Sequence, residues 1–224
     1  MALQELFGIG EYYHTYNRGV EKRAIFSDEQ DRERFLALLY LANSTVSVDL
    51  WRQGQTLRDV TSVERDETLT DMCIYCLMPN HFHLLLREKQ EKGISTFMQK
   101  ITTAYTMYFN RKNGRSGALF QGTYKAKRTD NDEYLKYLVS YIHLNPVKLI
   151  EPRWKEEGIA NKLRAESFLR EYPYSSYLDF ASEQSRPQHV ILTKGALPEY
   201  FATTADFNAT LRDWLEYKDK DIEG

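Results

Sequence analysis

The 224-residue chain has no apolar run near the ~20 residues that a membrane span requires. Its first residues, MALQELFGIGEYYHTYNRG, also lack the apolar core of a secretory signal. These absences argue against a membrane partner and make the cytoplasm the expected location. Cysteine is nearly missing too, with Cys73 and Cys76 alone in the segment CIYC. No second pair completes a four-ligand zinc site, and residues three apart on a strand face opposite sides. The two thiols are therefore expected to be buried, structural and divergent.

The most informative gap concerns charge of one sign. From Lys92 to Arg128 there is no Asp or Glu, although the stretch holds eight basic residues: Lys92, Lys100, Arg111, Lys112, Arg115, Lys125, Lys127 and Arg128. The formal net charge of −2 conceals this segregation, while Glu216, Asp219, Asp221 and Glu223 collect in the C-terminal tail. A long acid-free stretch points to a polyanion surface. Its candidate contacts are Arg111, Lys112, Arg115, Lys125, Lys127 and Arg128. With 16 Tyr and 11 Phe, rings are available for a core and for base stacking, a combination that suits single-stranded nucleic acid. Internal repeats and low-complexity linkers are lacking as well.

Local patterns place the elements. EYYHTYN, residues 11–17, reads as an aromatic strand. A helix begins at a Ser27 or Asp28 cap and runs to about Ala42. Residues 44–68 read as a short strand, with Val46, Val48, Leu50 and Trp51 alternating, followed by a long loop. DMCIYCLM and HFHLLLRE form a hairpin about the turn dipeptide Pro79-Asn80. Ile94, Phe97, Met98, Ile101, Tyr105, Tyr108 and Phe109 have helical spacing, ending at Asn113-Gly114. GRSGALFQGTYKAKR reads as a basic, glycine-rich loop. The next helix runs from Asp132, after an Asn131 cap, to Leu144, where Pro146 stops it. The class is α+β with an antiparallel sheet. Residues 11–150 read as one domain and 151–224 as a mostly helical extension.

Two constellations carry chemistry. In a strand, His81 and His83 share a face while Phe82 turns to the other. Two imidazoles held this way leave open metal positions, which suits catalysis more than a closed structural site. In YLKYLVSYIHLN, Tyr141 and Asn145 are four apart and share a helix face, although spacing alone does not choose among Tyr134, Tyr137 and Tyr141.

The segment CLMPNHFHLLL resembles the histidine–hydrophobe–histidine signature of the HUH single-strand endonucleases. With YHTYNRGVEKRAIF, GALFQGTYKA, YLVSYIHLNPVK and YPYSSYLDF, the chain is similar over residues 11–183 to the REP-associated tyrosine transposases, relatives of the single-tyrosine insertion-sequence transposases. The resemblance implies a ferredoxin-like antiparallel sheet with helices on one face. It implies Tyr141 as the nucleophile that forms a 5′-phosphotyrosine, and His81, His83 and Asn145 as ligands of Mg²⁺ or Mn²⁺. Tyr134 and Tyr137 become packing residues, and His143 a weak ligand candidate. The implied partners are single-stranded or hairpin DNA, with a homodimer sharing its tyrosine helix as a further option. Two alternatives are a rolling-circle replication or mobilisation initiator and a domesticated DNA-binding protein without catalysis. The initiator lacks support in SYIHLNPVK and in the absence of a helicase-like second domain. The intact set of His81, His83, Tyr141 and Asn145 argues against the second.

Overall fold

The expected hairpin forms the centre of the molecule. In the computed structural model, which describes residues 7–46, 49, 54–193 and 195–216, β2 (Thr70–Met78) and β3 (His81–Glu88) pair antiparallel around Pro79-Asn80. The first strand, β1 (Tyr12–Arg18), pairs with β3, and β4 (Lys125–Arg128) pairs with β1, giving the antiparallel order β2-β3-β1-β4. The class is α+β, as the sequence pattern indicates.

The segment KAKR is thus an edge strand rather than part of a loop. Three of its four residues are exposed, so it lacks the apolar alternation that marks a half-buried strand. The cysteine expectation also changes. The pairing of β2 with β3 shifts between Met72 and Ile74, and this bulge returns Cys73 to the side occupied by Cys76. Both thiols are free and buried in the same apolar cluster.

Helices α1 (Glu29–Leu41) and α3 (Gly93–Lys112) supply the expected layer on one face. Asp28 caps α1 by accepting from the Asp31 N–H at 3.0 Å. Glu88, at the end of β3, accepts from the N–H groups of Gly93 and Ile94 at the start of α3. Gly93 is required there, since a Cβ would lie 2.1 Å from the Leu69 carbonyl oxygen. Phe35, Phe82, Leu84, Phe97 and Tyr105 are among the side chains buried between these helices and the sheet. Within residues 44–68, α2 (Leu57–Val60) forms behind a Thr56–Asp59 capping box and buries Leu57 and Val60, where a loop was expected. Val48, Leu50 and Trp51 of the expected short strand lie outside the described residues.

The other face meets α4 (Asp132–Leu144), capped by Asn131 as expected and continued by a 3-10 turn over Asn145–Leu149. The extension follows as α5 (Trp154–Glu157), α6 (Lys162–Glu171), α7 (Tyr177–Ala181) and α8 (Thr204–Glu216). Its Leu169, Tyr177, Phe201 and Phe207 share a second core with Ile74, Cys76 and Leu85 of the sheet. The extension also bonds along β2: Leu77 N–H donates to Tyr174 O, Thr193 N–H to Met72 O, and Tyr75 N–H to Ser176 Oγ. Arg186 fixes this seam by bonding Asp179 and the Tyr75 hydroxyl.

Candidate active site

Strand register assembles a polar cluster on the sheet face that looks toward α4. His83 lies opposite Tyr16, which lies opposite Lys125; His14 lies between Leu85 and Lys127; His81 faces Arg18. Paired residues of antiparallel strands share a face, so His14, Tyr16, His81, His83, Lys125 and Lys127 belong to one surface. The ring centroids of His81 and His83 are 4.9 Å apart, and Phe82 between them is buried among the α1 and α3 side chains.

A hydrogen bond fixes which nitrogen His81 presents, and His83 pairs with a third imidazole. His81 Nδ1 lies 2.6 Å from Asn80 Oδ1; the oxygen only accepts, so Nδ1 carries the proton and Nε2 keeps a lone pair. His83 Nδ1 lies 2.8 Å from His14 Nε2, while His83 Nε2 is buried without a partner. Burial keeps all three rings neutral. Desolvation takes His14 down to about 3, with Lys127 and Lys155 adding to the shift. Desolvation takes His81 to about 4 against an opposing hydrogen bond with Asn145. It also holds His83 well below the ordinary imidazole value, with His14, His81 and Lys155 adding.

Helix α4 brings the tyrosines past this cluster. Tyr134, Tyr137 and Tyr141 stack in series, with centroid separations of 5.8 and 5.7 Å. Of the three, Tyr141 meets the histidines, its ring edge-on to His83 at 5.6 Å and to His14 at 6.2 Å. One turn later Asn145 is 2% exposed, and its Nδ2 has no partner. His143 is absent from the site: it is fully buried, bonded to Val139 O and Ser176 Oγ, and packed against Phe207.

A divalent cation fits these residues. His83 Nε2 and Asn145 Nδ2 are buried without partners, and His81 lies beside both, in hydrogen-bond contact with the Asn145 amide. Among the described residues no group of three or more His, Cys, Asp or Glu side chains could hold a metal.

The basic residues divide. Lys125 and Lys127 lie beside the cluster, Lys127 with its ammonium 4.8 Å from the Tyr134 ring centroid. Arg128 pairs with Glu11 at 3.0 Å. Lys112 bonds Asp28 and Asp31 at 2.7 Å each, which raises its pKa. Arg115 holds Asn110 Oδ1 and Ala118 O, and Arg111 is exposed near the end of α3. The acid-free stretch is thus several surfaces rather than one.

Three neighbours of the site escaped the sequence reading. His14 was legible in principle, since it alternates with Tyr12 and Tyr16, but which strand pairs with β1 is not written locally. Asn80 reads as a turn residue. Lys155 carries no local signal, standing in a four-residue helix of the extension.

A family model for IS200-like transposases matches residues 11–145. No curated protein matches the chain. Among solved structures, that of a REP-associated tyrosine transposase bound to a REP hairpin is similar in fold. It has a TM-score of 0.50 and 12% identity, covering 88% of this chain and 94% of that one. None of the helices described is long and apolar enough to cross a membrane.

Proposed function

The chain belongs to the IS200-like transposase family, and from that premise we propose that it cleaves and rejoins single-stranded DNA at a hairpin, with Tyr141 as nucleophile. The observation that carries this reading is the position of the Tyr141 ring against His83, whose Nε2 is buried and unpartnered. The other two tyrosines of the stack lie nearer the start of α4. Residues 11–150 are the catalytic domain in this reading, and 151–224 an extension that completes its second core.

His81, His83 and Asn145 are the residues that would hold a divalent cation, Mg²⁺ or Mn²⁺. When bound, such an ion neutralises a non-bridging phosphate oxygen and orients the diester. A metal on Nε2 of each ring would leave the two Nδ1 protons to Asn80 and His14, which are placed to accept them. In the chemical step, Tyr141 Oη bonds to phosphorus as the bond from phosphorus to the 3′-oxygen breaks. The products are a 5′-phosphotyrosine and a 3′-hydroxyl. One phosphoester replaces another, so the reverse reaction joins strands without ATP. Lys125 and Lys127 sit where phosphates would pass, and Tyr16 and Tyr134 offer ring faces to unpaired bases. The reported hairpin of the structural neighbour supports the same class of substrate.

A labelled hairpin oligonucleotide with Mn²⁺ tests the assignment. The unaltered protein should give a covalent protein–DNA band and Tyr141→Phe none, while both bind the hairpin. Tyr134→Phe and Tyr137→Phe should keep the band. A band of normal intensity from Tyr141→Phe would falsify the assignment. No band from the unaltered protein despite hairpin binding would favour a non-catalytic DNA-binding protein.

A further inference from the structure

Tyr141 has a polar partner outside the segment that the family model covers. Lys155 of α5 donates from Nζ to the Tyr141 hydroxyl at 2.7 Å, and the same ammonium lies 4.0 Å from the ring centroid. Both residues are half-buried. The position of α5 is not incidental, since Trp154 packs against the second core and the N–H groups of Glu156 and Glu157 close a turn on Arg153 O. Among the described residues Lys155 has no carboxylate partner. Its charge acts instead on the site, disfavouring protonation of His14, His81 and His83.

Attack on a phosphodiester requires the phenol to give up its proton, so in the transition state the attacking oxygen still carries part of that negative charge while charge builds on the leaving oxygen; the histidines and Asn145 do not donate to Oη. A half-buried ammonium at hydrogen-bond distance is suited to that charge, because charge-assisted hydrogen bonds are the stronger class and the local dielectric is below that of water. We infer that Lys155 is a catalytic residue, donating a hydrogen bond to Tyr141 Oη and stabilising the charge on this oxygen during both strand cleavage and strand joining. The inference rests on Tyr141 being the nucleophile. In cleavage the phenolic proton passes to water, the Oη–P bond forms, the P–O3′ bond breaks, and the departing 3′-oxygen takes a proton from water. Lys155 keeps its own protons throughout. In joining, a 3′-hydroxyl gives its proton to water, the P–O3′ bond forms as the P–Oη bond breaks, and the departing Oη, held by the same ammonium, takes a proton from water. One transition state serves both directions, so losing Lys155 slows both by the same factor, about 100-fold for a removed donor of this kind.

Lys155→Met and Lys155→Cys, with hairpin and Mn²⁺ affinities measured alongside, test the idea. Each should lower the single-turnover rate of adduct formation about 100-fold while leaving both affinities near those of the unaltered protein. The cysteine variant should then regain most of its rate on alkylation with 2-bromoethylamine, which rebuilds an ammonium at nearly the lysine length. The native thiols are 2% and 0% exposed, and burial raises both out of the thiolate form that alkylates. A Lys155→Met rate equal to or above that of the unaltered protein overturns the proposal. A cysteine variant that binds hairpin yet stays slow after alkylation also does. Tyr141→Phe run in parallel separates the two readings. An adduct there removes the nucleophile assignment itself, whereas its absence beside a full-rate Lys155→Met removes Lys155 alone.

Discussion

Replacing His14 by leucine should weaken the metal site without touching a ligand. A metal on His83 Nε2 requires the ring proton on Nδ1, and His14 Nε2, 2.8 Å from Nδ1, is the group placed to accept it. The two rings are 7% and 6% exposed, so water does not replace the lost acceptor. A buried donor left unmet costs about 1–3 kcal/mol. Set against the ligand-competent form, that cost lowers metal affinity by about 5- to 150-fold, since 1.4 kcal/mol is a factor of ten. Losing the outer partner of a metal-bound imidazole has effects of about 10- to 100-fold. Free Mn²⁺ measured by electron paramagnetic resonance in the absence of DNA reads the affinity directly. His14→Gln, which keeps an acceptor near the same place, should recover most of it. If His14→Leu binds Mn²⁺ as tightly as the unaltered protein while His83→Ala does not, the relay from His14 to His83 is not what orients the ligand.

Two further outcomes follow from charge. Stability should fall as pH drops below about 6.5, because His14, His83 and His143 are buried neutral with folded values far below the unfolded one. The unfolded chain then binds more protons, and each ring removes about 1.4 kcal/mol per pH unit until the folded value is reached; a flat urea midpoint between pH 6.5 and 4.5 would contradict this. Lys125→Ala with Lys127→Ala should reduce the salt slope of hairpin binding by about two units. Lys112→Ala should leave the slope alone and lower the denaturation midpoint, and a slope unmoved by the first pair would place the strand elsewhere.

Features set by a few neighbouring residues were legible in advance. Asp28 and Asn131 announce their helices, Pro79-Asn80 announces the hairpin, and the two-residue period puts His81 and His83 on one face whatever lies around them. The face that Tyr141 and Asn145 share follows from helical spacing, but which tyrosine meets the histidines needed either the family resemblance or the coordinates. What stayed hidden depends on distant pairing. KAKR is a strand because β1 has an unpaired edge to offer, and nothing in four largely exposed residues reports that edge. Cys73 turns with Cys76 because of a bulge that appears only in the register of β2 against β3. His14 and Lys155 reach the site through strand register and through a short helix beyond the family segment, both of which are settled by the completed fold.

The seam along β2 has a consequence in time. Ser176 lies 101 positions beyond Tyr75, and Thr193 lies 121 beyond Met72. At about 5–20 residues per second, a ribosome needs roughly 5–25 s to deliver them. Throughout that interval the nascent chain carries an apolar strand with one row of backbone donors and acceptors unmet, the surface most prone to pair with a stranger. The speed of translation between the codons of β2 and those of its late partners therefore sets how long each new molecule is at risk. Slowing that stretch with rare codons should raise the insoluble fraction, although the finished protein would be identical.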